Sequence, residues 1–390
     1  MSKMKCFIAK ILALVCILCT VTGLCGCSST TIDFTGVSGT DIDYGDSTKY
    51  GTYYDQLNDF QKKLYVALLE PISKAEAKIE LKNINAVDMK RDCFAVTTAI
   101  QYDHPEYFWF TGGYAYSGSK EPFAENADFT LEPTYYSYVT SFFSANSKQE
   151  KLEKEVAKVA KLAEEHSSDD HERIIFVHDY LIKNAKYDHD GLEEYYQTSH
   201  NPSCEYIFSA YGCLVEGDTV CSGYAKAFQL IMTKLGYECT YVTGDAGEAH
   251  GWNCMYLDGE GYYIDVTWDD PDYDKEIPYY EYALITSADL NKTHTVDMTF
   301  FETPVCNATT YNYYRYNGYF DEEYDFDTAK SILEKQSGND AMYIRFGSVT
   351  ELGKAYKDIV ENGKYKSISG ISGKSQFDYN ETHCTLTFIK

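Results

Sequence analysis

Near Gly236 the spacing of apolar residues changes from helical to alternating. In VCSGYAKAFQLIMTKLG, residues 220–236, the residues Tyr224, Ala227, Phe228, Ile231, Met232 and Leu235 recur at offsets of three and four. That spacing predicts a helix opening at Cys221, and Gly236 supplies its stop signal. Beyond it, CTYVTG, HGWNCMYL and YYIDVTW alternate, and Asp258-Gly259 is a hairpin turn pair. These segments predict an antiparallel sheet with His250, Trp252, Cys254 and Tyr256 on one face. A two-residue loop pairs Asp265 with Trp252 and makes His250 its diagonal neighbour on the same face. A three-residue loop would put His250 and Asp265 on opposite faces.

The same reading extends along the chain. A helical pattern from Asn58 runs through Phe60, Leu64, Ala67 and Leu68 until Pro71 interrupts it. In DHPEYFWFTGGYAYS, residues 103–117, Gly112-Gly113 predicts a turn between two strands. A charged helix over residues 148–165 puts Leu152, Val156, Val159 and Ala163 on one face. The next starts at SSDDHERI, where Asp169 and Glu172 have capping-box spacing, and carries His178 near its apolar stripe. Residues 187–218, rich in Tyr, Ser and Gly, read as partly irregular. Residues 316–390 predict a helix near 328–335, a strand AMYIRFG, a helix near 349–360, and strands near Lys366 and Thr385. That order is a small split sheet with helices on one side.

Composition narrows the setting. At 390 residues, 44% apolar and 16% aromatic, the chain has material for two or three compact units. Residues 1–26 differ: Lys3, Lys5 and Lys10 precede an apolar run over 11–21, too short for a comfortable span and suited to a secretory signal. The run closes on Leu24-Cys25-Gly26-Cys27, which resembles a bacterial lipobox, and that resemblance implies lipidation of Cys27. Residues 27–50 then read as a flexible tether, and the expected location is the outer face of the cell membrane. The residues after the signal carry 31 basic and 60 acidic side chains, a net of −29. Such a surface repels phosphate backbones, which excludes nucleic acid as a partner. Five of the 13 cysteines fall in the signal or lipid site, and the other eight show no CxxC spacing, so buried free thiols are expected.

Cys221, His250 and Asp265 are the residue types that amide chemistry through a thiol requires. The free N–H groups and partial positive charge of a helix N-terminus favour a thiolate over a thiol. A base must move the proton to the departing amine, and a carboxylate must orient the imidazole. No cofactor and no metal enter this scheme. An EF-hand-like count through Asp270, Asp272, Asp274 and Glu281 fails at Lys275 and Pro278, and an acidic surface turn accounts for it better.

VCSGYAKAFQLIMTKLGYECTYVTG, AHGWN and YYIDVTWDDP together closely resemble the transglutaminase-like core, in its bacterial cytokinesis-protein and kyphoscoliosis-peptidase branch. HDYLIKNAKYD, DHPEYFWF and residues 289–294 resemble it too. The resemblance implies an α+β, papain-like fold in which a nucleophile helix packs on an antiparallel sheet. It assigns Cys221, His250 and Asp265 to the catalytic triad. Taken with the pattern along the chain, the expected organisation is an N-terminal α/β extension over 51–146, the core over 147–315 and the C-terminal α+β unit over 316–390. The substrate expected is a protein or peptide amide, met in a groove with Trp252, Trp109 and Trp268 as candidate walls. Hydrolysis and acyl transfer to an amine both remain open, as do a cell-wall amidase and a non-catalytic envelope-binding module using the same groove.

Overall fold

The computed structural model describes residues 29–37, 53–84, 89–118, 127–139, 142–197, 204–271, 277–373 and 375–390. The expected signal segment, Cys27, most of the expected tether, Asp272 and Asp274 lie outside them. The fold is α+β, with antiparallel pairing dominant in three four-stranded sheets. The chain divides into two compact units, Met1–Lys158 with Asp188–Tyr241 and Met298–Glu302, and Val159–Tyr187 with Val242–Asp297 and Thr303–Lys390.

In the first unit one sheet runs in the order Ser29–Asp33, Lys78–Ile84, Ala127–Tyr135, Phe110–Gly118. Ser29–Asp33 pairs in parallel with Lys78–Ile84, so the first part of the expected tether belongs to the fold. Its anchor is Phe34, buried and 5.4 Å from the Phe60 ring. The helix opening at Asn58 continues to Ser73 instead of stopping at Pro71. Pro71 lies inside the last turn, where it supplies no N–H to the carbonyl four residues back but has only two helical residues after it. Gly112-Gly113 is likewise no turn. Both lie within the single strand Phe110–Gly118, whose register against Ala127–Tyr135 shifts between Phe110 and Tyr114. Gly112 has φ +79° there, so its positive φ serves a bulge. Trp109 is completely buried, with its indole N–H donating to the Ile72 carbonyl at 3.0 Å. It belongs to the core, which removes it as a groove wall.

Residues 187–218 are more regular than expected, with a helix His189–Gln197, a 3-10 turn Glu205–Phe208 and a π turn Gly212–Glu216. The helix Cys221–Lys234 follows, and Gly236 beyond its end has φ +89°.

The sheet that enters the second unit at Val242 has the order Thr295–Val296, Cys239–Asp245, Ala249–Leu257, Glu260–Ile264. Leu257 pairs with Glu260, so the hairpin loop is the two residues Asp258 and Gly259, both at positive φ. The C-terminal sheet runs Phe320–Asp321, Ala341–Phe346, Thr385–Ile389, Gln376–Asn380. Met342, Ile344, Phe346, Leu386 and Phe388 face the helices Phe326–Glu334 and Val349–Ala355. Ala341 and Tyr343 point the other way, toward Tyr280 and Tyr313, whose rings stack 3.7 Å apart. The helices do share one side. The strand expected near Lys366 is a 3-10 turn, and the edge strand is Gln376–Asn380.

The unit division runs through the expected 147–315 core. Polar contacts hold its parts to the C-terminal sheet: the Tyr343 hydroxyl donates to the Pro278 carbonyl at 2.8 Å and Thr385 to the Glu281 carboxylate at 2.7 Å. Glu281, position 12 of the EF-hand count, is thus buried against Thr385.

Candidate active site

The candidate residues fall on both units. In the first, Cys221 is the first residue of its helix and is partly exposed. Val220 before it is extended and buried, its N–H bonded to the Ile207 carbonyl at 3.0 Å. Gly223 fixes the approach. A Cβ there would lie 2.0 Å from Thr219 Oγ1, 2.7 Å from the Ile207 carbonyl and 2.9 Å from that of Ser209. The CSG run therefore lets the first helical turn close onto the Glu205–Phe208 turn. Among the described residues no group accepts the Cys221 backbone N–H. Lys226 is buried in the same helix, donates to the Phe208 carbonyl at 3.1 Å and lies over the Tyr241 ring. Burial pulls its ammonium down to about 8, against an opposing upward pull from Cys221.

In the second unit the even hairpin puts His250 and Asp265 together, as its parity requires. His250 Nε2 meets Asp265 Oδ2 at 2.7 Å. The carboxylate is almost fully buried and fully occupied: Oδ1 accepts the backbone N–H groups of Thr267 and Trp268 at 3.0 and 3.2 Å. Oδ2 also meets His294 Nε2 at 3.1 Å. Burial works to raise the Asp265 carboxyl, but the His250 charge and the hydrogen bonds of His250 and His294 outweigh it. The group is held well below the usual carboxylate range.

His294 is the site residue that periodicity does not single out. It follows the turn Ser287–Leu290, with its N–H bonded to the Leu290 carbonyl at 2.9 Å. Thr293 Oγ1 lies 2.7 Å from its Nδ1, and the Tyr282 hydroxyl lies 3.0 Å from Thr293 Oγ1. Asp265 Oδ2 is a carboxylate oxygen and only accepts, so His294 Nε2–H is the donor in that contact. A chain of hydrogen bonds thus ends on the carboxylate that orients His250.

Trp252 is completely buried against both imidazoles, 5.8 Å from the His250 ring and 4.9 Å from that of His294. It packs the histidines and cannot wall a groove. Trp268 is 37% exposed and 4.6 Å from the His294 ring, and it alone of the three tryptophans presents surface.

Behind Asp265 a second buried pair holds the following loop. His178 Nε2 meets Asp269 Oδ2 at 3.1 Å, its Nδ1 meets Asp179 at 3.0 Å, and Asp269 Oδ1 accepts the Tyr282 N–H. Burial would lower the imidazole pKa, but hydrogen bonds and charge from Asp179 and Asp269 raise it to about 9. No sequence pattern links His178 to Asp269, 91 positions away.

Ligand atoms of His250, Asp265 and His294 lie within 4.8 Å of one another, a donor set that suits a transition-metal ion. Here both imidazoles spend their Nε2 atoms on Asp265 Oδ2. A metal would have to displace two hydrogen bonds.

Residues 157–266 match the family model described as the transglutaminase-like superfamily. No curated protein matches the chain. Among solved structures it is similar to one described as a TGase, at 13% identity and TM-score 0.28, covering 49% of this chain and 50% of that one. It is also similar to one described as "Putative Cysteine Protease from Cytophaga hutchinsonii", at 14% identity and TM-score 0.25, covering 47% and 65%. The chain thus spans half to two thirds of those neighbours.

Proposed function

Because residues 157–266 form a transglutaminase-like segment, we propose that this chain is a cysteine enzyme that cleaves protein or peptide amides through a thioester. The observation that carries the reading is the Asp265 carboxylate, saturated with donors and fixing His250 at 2.7 Å. His250 takes the Cys221 proton, and the thiolate attacks the amide carbonyl. The Cys221 N–H supports the oxyanion. As the C–N bond breaks, His250 returns the proton to the leaving amine and the acyl group remains on sulfur. Water or a second amine then attacks the thioester, losing a proton to His250, and the thiolate leaves. Asp265 holds the ring and balances the imidazolium charge.

Intact-mass analysis after incubation with a glutamine peptide, with and without an amine acceptor, tests the reading. An acyl adduct on the wild type that vanishes in Cys221→Ala supports it, and the product separates hydrolysis from transfer. Turnover that survives Cys221→Ala would sink it.

The proposal includes anchoring at Cys27 on the outer face of the membrane. Metabolic labelling with a fatty acid should mark the wild type and leave Cys27→Ser unlabelled.

A further inference from the structure

A cavity of about 100 Å³ lies within the second unit, lined in part by Arg315, Arg345, Asp289, Asn312 and Phe320. The chain has four arginines, Arg91, Arg173, Arg315 and Arg345, in a sequence with 60 acidic residues. Two of the four face this one space.

Neither guanidinium is used up by the protein. Arg345 rises from the strand Ala341–Phe346 with its side chain 13% exposed, and its Nη2 alone reaches both Asp289 oxygens, each at 2.9 Å. Among the described residues no acceptor meets its Nε or Nη1. Arg315 lies with Cζ 3.9 Å above the Phe320 ring, which holds its plane. Its side chain is 42% exposed, and among the described residues its one ion pair is with the mostly exposed Glu322 at 3.6 Å, beyond hydrogen-bond reach. Two pre-oriented forks with free N–H groups around one small space form an oxyanion receptor.

The geometry points to a binding site for a monovalent carboxylate, the C-terminus of a peptide or a small organic acid. Charge selects the class. Arg315, Arg345 and Lys292, which bonds Asp289 at 2.8 Å, stand against Asp289 and Glu322, leaving one net positive charge. A carboxylate neutralises it, whereas a phosphate dianion overshoots. Volume agrees: a single water needs about 10–15 Å³, so the space takes a head group and a few atoms but no nucleotide.

Calorimetric titration of the full chain with acetate, inorganic phosphate, an acetylated dipeptide acid and its C-terminal amide tests the assignment. The acids should bind saturably and the amide should not. In Arg315→Gln, which removes no protein hydrogen bond, affinity should fall roughly tenfold or more. A dipeptide acid tighter than acetate identifies a peptide terminus, and equal affinities identify a small acid. Saturation by phosphate alone, no carboxylate saturation below roughly 10 mM, or an unchanged affinity in Arg315→Gln overturns the inference. Binding needs no turnover, so this outcome is independent of whether Cys221 is a nucleophile.

Discussion

His294 offers a sharp test of the hydrogen-bond chain behind Asp265. Its ring is almost fully buried beside Trp252, Trp268 and Tyr282, and its one polar link toward the site is the 3.1 Å contact with Asp265 Oδ2. His294→Leu keeps most of the apolar volume and removes the donor. A hydrogen bond to a charged group contributes about 1.5–3 kcal/mol, and Oδ2 retains only His250. His294→Gln places an amide N–H near the Nε2 position and should recover most of that loss. Urea unfolding at pH 7 should therefore rank wild type, Gln and Leu in falling order. The sign of the pH dependence follows. The folded pKa of Asp265 lies below its unfolded 3.8, so its contribution is present above 3.8 and is lost as pH falls through the folded value. Loss of a donor makes that depression smaller, so the gap between wild type and His294→Leu should narrow on acidification below 3.8. Equal stability of the Leu and Gln variants at pH 7, or a gap that does not change with pH, would refute the reasoning.

Other expectations follow from the same geometry. His178 is held protonated up to about 9, so its stabilisation is complete below 6.5 and is lost as pH rises toward 9. Unfolding free energy should drop by up to about 3 kcal/mol across that window, and the slope should vanish in His178→Gln. Gly223→Ala forces a methyl into Thr219 and two carbonyls, and should cost about 1–3 kcal/mol in denaturant unfolding and change the alkylation rate of Cys221. His383 is buried with no hydrogen bond to either ring nitrogen among the described residues, and burial, then the nearby Arg345 charge, lowers it to about 3. Its pKa is depressed, so wild type loses stability as pH falls below 6.5. His383→Leu should match or exceed wild type at pH 7.5, with an advantage that grows at pH 5, measured by urea unfolding.

What the sequence discloses depends on whether a local rule governs it. The helix at Cys221 follows from six apolar positions and a glycine, and the side of the sheet that Asp265 takes follows from the length of one turn. Both are short-range facts. His294 meets Asp265 from 29 positions away, and His178 meets Asp269 from 91, through packing that no periodicity records. Pro71 and Gly112-Gly113 misled for another reason. A proline that stops most helices can sit inside the last turn at the loss of one hydrogen bond, and a glycine with positive φ makes a turn or a bulge, which only the strand register distinguishes. Ser29–Asp33 looked like tether because Ser, Thr and Asp dominate it, yet alternate residues point inward beside Lys78–Ile84. Trp109 and Trp252 are candidate walls by their bulk, but an aromatic run such as that around Trp109 is more often core, and both side chains are buried.

The placement of the thiols has a practical consequence. None of the eight cysteines of the described residues is in a disulfide, six are buried, and only Cys221 and Cys239 reach partial exposure. Burial pushes the Cys239 thiol far up, which keeps it protonated and slow toward electrophiles. Among the eight thiols of the described residues, a gentle alkylating reagent applied to the native protein should therefore label one, Cys221, while the same reagent in denaturant should label all eight. Peptide mapping of the two samples makes these eight thiols a reporter of folding, and a fluorophore can be placed on Cys221 without replacing any of the other seven.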